Sequence, residues 1–274
     1  MREILGRRRM NRSSLRNAAL HCATRWEWPV LPGATLTPPS SPSSRSTYQS
    51  KRPLSAVCSC PDADCVVPGA HPFDPVLLAA TTDDRMIRWW WTNRPSAPVI
   101  LATGGRGPSA LSLPAIAGAR ALAEFDRRGE RLGPVVATPT RFALLVAPYA
   151  LEELGERLYA HDRVPSSLRF HGDGGYIALP PSHTGAGRVR WEREPVAADA
   201  AGGEDGDGEE RRTRRGGLRG WKREMSRGGS RGTRGARRGG LTDGAPFLPR
   251  MESVLDVLVE ASTTAPDSGT SLTY

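Results

Sequence analysis

Apolar residues along this chain recur in short runs whose spacing predicts alternating strands and helices. Short apolar runs bounded by turn residues are typical of strands, and apolar residues three or four positions apart are typical of a helix with one buried face. The predicted strands lie at residues 26–33, 99–102, 110–113, 135–137, 142–146, 168–171, 176–179 and 188–191. The predicted helices lie at residues 17–25, 83–91, 118–128, 148–159 and 251–261. The pattern predicts an α+β fold with short strands.

One predicted helix carries three adjacent tryptophans, at residues 89–91. Thr81 or Thr82 is expected to cap this helix, which places Asp83 and Asp84 in its first turn at the positive end of the helix dipole. Three consecutive indole rings cannot all face one side of a helix. At least one is therefore expected at a contact surface, with the other two in the core.

The apolar pattern stops near residue 200 and divides the chain into four parts. Residues 17–198 form the predicted folded domain, and residues 1–16 are a basic extension before it. Residues 199–245 contain an acidic run and then an Arg/Gly-rich run without apolar periodicity, so they are expected to be disordered. Residues 246–274 contain the amphipathic helix at 251–261, which is expected to dock on the domain or on a partner protein.

The net charge of +9 is concentrated in two segments. Residues 1–16 carry six arginines and one glutamate, and residues 201–240 carry twelve basic and six acidic residues. Such segments are expected to attract polyanions without a preformed groove. The longest apolar stretch, residues 142–151, is too short to span a bilayer, and the first residues lack a signal core. A cytoplasmic protein that does not contact membranes is expected.

The strongest local signal is a cluster of cysteines and a histidine with the spacing C-x-C-x4-C-x5-H. The four residues are Cys58, Cys60, Cys65 and His71. Three thiolates and an imidazole make a complete tetrahedral ligand set for zinc, which leaves no position for a reactive water. The spacing therefore favours a structural Zn²⁺ site, and the alternative is a loop of incidental free thiols. Cys22, on the first predicted helix, is expected to be a small buried residue.

Other catalytic motifs are absent from the sequence. It contains no G-x-x-x-x-G-K-[ST], no G-x-S-x-G and no H-E-x-x-H. The glycines in the run ATGGRG fit neither common nucleotide-binding spacing and predict a plain turn. The acids on the predicted helices lie beside arginines, where solvated ion pairs are expected.

Residues 171–194 predict a β-hairpin with a basic edge. Two glycines form its turn, two prolines end its second strand, and a third strand returns with two arginines and a tryptophan. Such a hairpin can present side chains to a sugar-phosphate chain. The candidate nucleic-acid or nucleotide-binding residues are Gly174, Gly175, Tyr176, Ser182, Arg188, Arg190 and Trp191. The alternative is an ordinary hairpin with a solvated edge.

Four segments occur in a recognisable order: ALHCATRWEWPVLPG, CSCPDADCVVPGAHP, ATTDDRMIRWWWTNRPSAPVILATG and GDGGYIALPPSHTGAGRVRWERE. Over roughly residues 17–195, the chain resembles the bifunctional DNA primase/polymerase domain of actinobacteria, phages and plasmids, a branch of the archaeo-eukaryotic primase superfamily. The resemblance implies a two-layer α/β domain beside a small, often zinc-bearing element. It also implies a nucleic-acid partner, DNA rather than RNA, and two-metal nucleotidyl transfer.

The resemblance further implies positions for catalytic residues, and this chain carries a different side chain at each. Ser112 and Pro114 stand where the family has an Asp-x-Asp pair, and Leu144 stands where it has a histidine. Arg169 stands where it has a third acid, just before the GDGGY turn. Mg²⁺ is held by oxygen ligands, so a site without these carboxylates is not expected to assemble. Ala70 replaces a lysine of the zinc loop, which removes a phosphate contact.

Three functional hypotheses follow. The first is a degenerate primase/polymerase-like domain that binds nucleic acid or nucleotides as an accessory module, and this is our prediction. The second is an active DNA primase/polymerase, which requires Mg²⁺ and acids clustered in the cleft near Ser112 and Arg169. The third is a protein-interaction scaffold, suggested by the 251–261 helix and the segment expected to be disordered, and an unpaired apolar face of that helix in the fold would favour it.

Overall fold

The computed structural model of the chain describes residues 2–37, 57–198 and 244–264, with side chains from residue 14 onward. Its helices are α1 (Arg2–Arg25), α2 (Asp84–Asn93), α3 (Ala115–Arg128), α4 (Leu151–Tyr159) and α5 (Met251–Thr264). Its strands are β1 (Val30–Pro32), β2 (Leu36–Thr37), β3 (Val57–Cys58), β4 (Val99–Thr103), β5 (Ser109–Pro114), β6 (Val135–Ala137), β7 (Arg141–Val146), β8 (Arg169–His171), β9 (Gly175–Leu179), β10 (His183–Thr184), β11 (Gly187–Arg188) and β12 (Arg190–Arg193). The α+β class is confirmed. The segment predicted to be disordered lies outside the described residues, apart from residues 244 and 245.

A five-stranded antiparallel sheet in the order β12-β6-β7-β5-β8 lies at the centre of the fold. Side chains alternate between its two faces, as in any strand. Along β7, Phe142 and Leu144 belong to one apolar cluster, whereas Ala143 and Leu145 belong to the other. The sheet therefore separates two hydrophobic cores.

The first core lies between this sheet and a three-stranded sheet in the order β1-β4-β9, with α1 and α2 packed on the same cluster. Trp26 and Trp28 are buried in it with ring centroids 4.7 Å apart. Cys22 is also buried here, and burial raises the pKa of its thiol to about 12. The prediction that Cys22 is a small buried residue is confirmed.

The second core lies on the opposite face of the five-stranded sheet, where α3 and α5 pack against each other. Met251, Leu255 and Leu258 of α5 are at most 1% exposed. The apolar face of the helix predicted at 251–261 is therefore paired within the fold. Of the two expectations for this helix, docking on the domain is confirmed, because these side chains fill the second core.

The two N-terminal helices differ from their predicted bounds. Helix α1 begins at Arg2, so the basic extension and the helix predicted at 17–25 are one continuous helix. Helix α2 is capped by Asp83, whose carboxylate accepts hydrogen bonds from the backbone of Arg85 and Met86, rather than by Thr81 or Thr82. The hydroxyl of Thr81 instead accepts a bond from the backbone of Asp83.

The three adjacent tryptophans of α2 divide as predicted. Trp90 and Trp91 are buried, whereas Trp89 is 58% exposed. The Trp91 indole donates a hydrogen bond to the carbonyl of Ala97 at 3.0 Å. Among the residues that the structure describes, no helix is both long and apolar enough to cross a membrane.

The predicted hairpin at residues 171–194 is wrong. Strand β8 pairs with β5 in the five-stranded sheet, whereas β9 pairs with β4 in the three-stranded sheet. The turn at Gly174 therefore carries the chain from one sheet to the other instead of joining two paired strands. The predicted third strand is also divided, because β11 pairs with β10 and β12 pairs with β6.

Two glycine-rich turns meet where the sheets come together. A Cβ atom on Gly104, whose φ is +79°, would lie 2.4 Å from the Cα atom of Asp173. The Thr103 hydroxyl donates a hydrogen bond to the carbonyl of Gly172 at 2.8 Å. The ATGG and GDGG motifs thus pack backbone against backbone, and this contact fixes the position of β8 and β9 relative to β4.

Candidate metal site and cleft

The four predicted metal ligands converge in the fold. The sulfur atoms of Cys58, Cys60 and Cys65 and a ring nitrogen of His71 lie within 4.8 Å of one another. The sulfurs of Cys58 and Cys65 are each 3.4 Å from His71 Nε2. Tetrahedral zinc, with bonds of about 2.3 Å to sulfur and about 2.0 Å to nitrogen, separates its ligand atoms by about 3.5 Å. The cluster can therefore hold a metal ion such as zinc.

Neighbouring groups set the protonation of two of these ligands so that they can bind a cation. His71 Nδ1 lies 2.9 Å from the carbonyl of Pro72, so Nδ1 carries the proton and Nε2 keeps its lone pair. Burial raises the pKa of Cys58, but hydrogen bonds from the Cys60 and Gly69 backbone, followed by the contacts with the His71 and Cys60 side chains, lower it to about 6. Burial, followed by the neighbouring thiols, raises the pKa of Cys65 to about 11. A cation is needed to ionise all three sulfurs at neutral pH.

We expect one zinc ion per chain, because the donor set is complete and its spacing already matches the tetrahedral geometry. Elemental analysis of protein purified without chelator measures the content, and X-ray absorption should give bonds near 2.3 Å to sulfur and 2.0 Å to nitrogen. Replacing Cys60 with Ser should reduce the content well below one equivalent. The control Cys22→Ala, in the first core, should keep a full equivalent. Substoichiometric zinc in the unmodified protein would contradict the assignment.

Residues 58–71, which contain the four candidate ligands, form the metal loop. A cleft of about 670 Å³ lies between the metal loop and the three- and five-stranded sheets. The metal loop and β9 line its sides, and β5, β7 and the edge strand β8 contribute its polar groups. Its lining includes Val66, Val67, Pro68, Ala70, Ser112, Ala143, Arg141, Arg169, His171, Gly175 and Tyr176. The volume is in the range of sites for small ligands. Two positions singled out in the sequence for missing acids, Ser112 and Arg169, thus face the same cleft.

Strand register explains which side chains reach the cleft. Ser112 and Arg169 are paired across β5 and β8, so both project from the same face of the sheet. Leu144 does not reach the cleft, because it lies in the second core and is 2% exposed. The position that the resemblance assigns to a histidine therefore does not face the cleft in this chain, since one residue along a strand reverses the face. The β7 residue beside Ser112 is Ala143.

Arg141 holds the centre of the polar network in the cleft. Its guanidinium donates to the Ser112 carbonyl at 2.7 Å, the Ser112 hydroxyl at 3.2 Å and the Ser167 carbonyl at 2.8 Å. The Ser112 hydroxyl also lies 2.9 Å from His171 Nε2. The Ser112 hydroxyl thus accepts from Arg141 and shares a second hydrogen bond with His171. Every one of these partners is a neutral group.

The electrostatics of the cleft are cationic. Burial, and then the nearby charge of Arg169, lowers the pKa of Arg141 to about 10, which leaves it protonated at neutral pH. Burial, and then Arg141 and Arg169, lowers the pKa of His171 to about 4, so its ring is neutral. The described residues that line the cleft include no aspartate or glutamate. Within the described part of the chain, the only cluster of candidate metal ligands is that of Cys58 to His71.

Ser112 and His171 are as close as a nucleophile and its general base, but they lack the other properties of a catalytic pair. A histidine whose pKa is about 4 is a weak base at neutral pH. The Ser112 residue is 5% exposed and its hydroxyl already accepts from Arg141. The pair therefore positions the arginine rather than forming a hydrolytic centre.

The seven residues predicted to bind nucleic acid or nucleotides do not form one surface. Gly175 and Tyr176 line the cleft, and Gly174 is in the exposed turn beside it. Ser182 is fully buried, and its hydroxyl accepts a hydrogen bond from the backbone of Val99 at 2.8 Å. This bond fixes the chain just after β9 against β4.

The remaining three predicted residues lie on separate strands. Arg188 on β11 and Arg190 on β12 are exposed, and Arg190 forms an ion pair with Glu192. Trp191 packs on the first core, with its ring centroid 6.5 Å from that of Trp26. Its ring is therefore partly engaged in packing.

Arg141 and His171 were not singled out from the sequence as parts of a site. Both lie on strands at positions that face the same side as Ser112, so strand alternation from Ser112 is the signal that could have found them. Pro114, the other predicted degenerate position, ends β5 and is the residue before α3.

Comparison with known proteins gives one match. The sequence profile of a family described as bifunctional DNA primase/polymerase, N-terminal, matches residues 19–202. The matched range includes the metal site, both sheets and every residue of the cleft described above. No curated protein and no solved structure matches the chain.

Proposed function

Since the chain belongs to the bifunctional DNA primase/polymerase family, we propose that it is a primase/polymerase-like protein that binds nucleic acid or nucleotides without joining them. Family membership implies interaction with nucleic acid. The observation that carries the proposal is the cleft itself, in which Ser112, Arg141 and Arg169 stand together and no carboxylate is present among the described lining residues. Two-metal transfer depends on such carboxylates.

The proposed role is that of an accessory module, with the metal loop as a structural element. The metal loop lines the cleft through Val66, Val67 and Pro68. The Gly185 backbone donates a hydrogen bond of 2.6 Å to the Pro68 carbonyl, so the loop is attached to the segment between β10 and β11. A metal at Cys58 to His71 would therefore stabilise one side of the cleft and take no part in bond making.

Two parts of the chain can supply the attraction for nucleic acid. The first is the pair of basic segments, residues 1–16 and 201–240, where phosphate attraction requires no fixed geometry. The second is the face that includes Tyr176, where a base can stack. We propose that the basic segments supply most of the binding energy. Of the candidate binding residues at 174–191, Ser182 and Trp191 are instead engaged in the packing of the fold.

This proposal predicts binding that depends steeply on salt. If five or six arginines contact phosphates of duplex DNA, the slope of log K against log salt should be about −5. Fluorescence anisotropy with single-stranded DNA, duplex DNA and RNA measures the affinity and the slope. Replacing residues 199–243 with a glycine-serine loop of equal length should remove most of the slope. Tyr176→Ala should then change the affinity by less than the loop replacement does.

Two outcomes would contradict the assignment of nucleic-acid binding mainly to the basic segments. Unchanged binding after loss of both basic segments would move the site to the cleft face, and Tyr176→Ala would then cost about 1 to 3 kcal/mol. Absence of binding to all three nucleic acids at low salt would contradict the nucleic-acid role itself.

A further inference from the structure

The cleft contains two arginines that lack an anionic partner among the described residues. The Arg141 guanidinium is bonded to Ser112 and to the Ser167 carbonyl, all neutral acceptors. Arg169, on the neighbouring strand, has no carboxylate of the described chain within ion-pair distance. Elsewhere on the fold, arginines such as Arg94 and Arg128 do form ion pairs with acids. Other described arginines without an ion pair, such as Arg106 and Arg188, are exposed to solvent, whereas Arg141 is half-buried.

Two positive charges facing one cleft repel each other, and the folded chain offers them no counter-charge there. Arg141 is held in place by three hydrogen bonds from one of its terminal nitrogens, so it cannot turn out to water without breaking them. An anion placed between the two guanidinium groups would relieve the repulsion and receive charge-assisted hydrogen bonds. Guanidinium groups match phosphate oxygens well in shape and charge.

The remaining surface of the cleft suits a ligand that also has an aromatic, apolar part. Val66, Val67 and Pro68 of the metal loop line it, and so does the ring-bearing residue Tyr176. A volume of about 670 Å³ accommodates a mononucleotide rather than only an inorganic ion. The charges lie on the strands of the five-stranded sheet, and the apolar residues lie on the loop and β9.

We propose that Arg141 and Arg169 hold the phosphate groups of a nucleotide directly, without a divalent cation. This inference rests on the proposed function in that it assigns a ligand to the same cleft. A nucleotide–Mg²⁺ complex would bring additional positive charge toward two guanidinium groups where no described carboxylate can coordinate the ion. Free nucleotide is therefore the favoured form. The same phosphate chemistry at the 5′ end of a DNA strand is the other source of ligand.

The test is calorimetric titration of the full zinc-loaded chain in buffer freed of divalent cations by a chelating resin, so that the structural metal is retained. The probes are dATP, inorganic pyrophosphate, deoxyadenosine, and one oligonucleotide with and without a 5′-phosphate. We expect dATP and pyrophosphate to bind, deoxyadenosine to bind at least 100-fold more weakly than dATP, and excess Mg²⁺ to weaken dATP binding. A preference for the 5′-phosphorylated oligonucleotide over dATP would identify the strand end as the source of the phosphate.

Arg169→Gln is the decisive variant, because Arg169 is exposed on the edge strand β8 and its loss should leave the fold intact. It should weaken dATP binding roughly 10- to 100-fold, the effect of losing charge-assisted hydrogen bonds. Arg169→Lys should restore part of the affinity. The control Arg85→Gln removes an exposed arginine of α2 outside the cleft and should bind dATP as the unmodified chain does.

The outcomes separate this inference from the proposed function. Binding of dATP only with Mg²⁺, or unchanged binding by Arg169→Gln, overturns the metal-free site. Binding of the oligonucleotide regardless of its 5′-phosphate, with none of dATP or pyrophosphate under either condition, overturns the site and leaves the nucleic-acid role standing. Binding of no probe overturns both.

Discussion

Purified protein given template, primer, nucleotides and Mg²⁺ or Mn²⁺ should extend no primer and synthesise none. The reason lies on β5 and β8, where Ser112 and Arg169 face the cleft at positions that the family resemblance assigns to acids. An arginine there repels the cations that an acid would hold. Enzymes accelerate their reactions by at least about 10⁶-fold, so loss of the metal site should reduce synthesis to the level without protein.

Gel analysis of labelled products measures this result, with an active polymerase added to a parallel mixture to establish that the template is competent. Asp173 provides a matched variant, because it is the acid closest in sequence to β8 and lies in the exposed turn after it. A reproducible product that disappears with Asp173→Asn, or with replacement of another single acid, would show that the chain has a catalytic site in a different place. A product that no such change affects would point to a contaminating enzyme.

Truncation of the chain after residue 243 should unfold the domain, because it removes α5 from the second core. Three of its side chains, Met251, Leu255 and Leu258, are at most 1% exposed. Replacing Leu258 alone with Ala should lower the free energy of unfolding by about 2 to 5 kcal/mol. That is a large part of the roughly 5 to 15 kcal/mol that stabilises a typical domain. Thermal or denaturant unfolding measures the loss, and Glu260→Ala, an exposed change on the same helix, should have little effect.

Deletion of residues 199–243 with a short turn in their place should, by contrast, leave the domain folded. The two ends of this segment meet, since the Ala198 backbone donates to the Ala245 carbonyl at 3.0 Å and the Phe247 backbone donates to Val196 at 2.9 Å. Arg131 supports the junction by bonding the Ala197 carbonyl and by stacking over the Phe247 ring. A shorter connection lowers the cost of closing the loop, so the melting temperature should hold or rise. A folded truncation after 243, or an unfolded deletion of 199–243, would contradict this account of α5.

Features that depend on neighbouring residues could be predicted from the sequence. The metal site was predictable because its four ligands fall within a short, turn-rich segment, so their spacing alone restricts where the sulfurs can lie. The division of the three tryptophans followed from helix geometry, and burial of Trp90 and Trp91 agrees with it. The same periodicity identified α5, although the choice between the domain and a partner required the fold.

Features that depend on long-range pairing could not be predicted in the same way. A Gly-Gly turn such as the one at Gly174 has the same local signal whether its strands pair with each other or enter separate sheets. The pairing of β8 with β5 and of β9 with β4 decides the outcome, through partners 57 to 80 residues away in sequence. The burial of Leu144 in the second core also depends on register, because a shift of one residue reverses the face of a strand. Arg141 emerged only when register placed it opposite Pro114, on the same face of the sheet as Ser112.

The central claim is that the cleft receives phosphate on arginines and holds no catalytic cations. Anomalous diffraction from crystals soaked with dATP and Mn²⁺ tests it most directly. The account predicts no manganese peak between Ser112 and Arg169 and nucleotide phosphates against the guanidinium groups of Arg141 and Arg169. A manganese ion held by carboxylates in that cleft would contradict it.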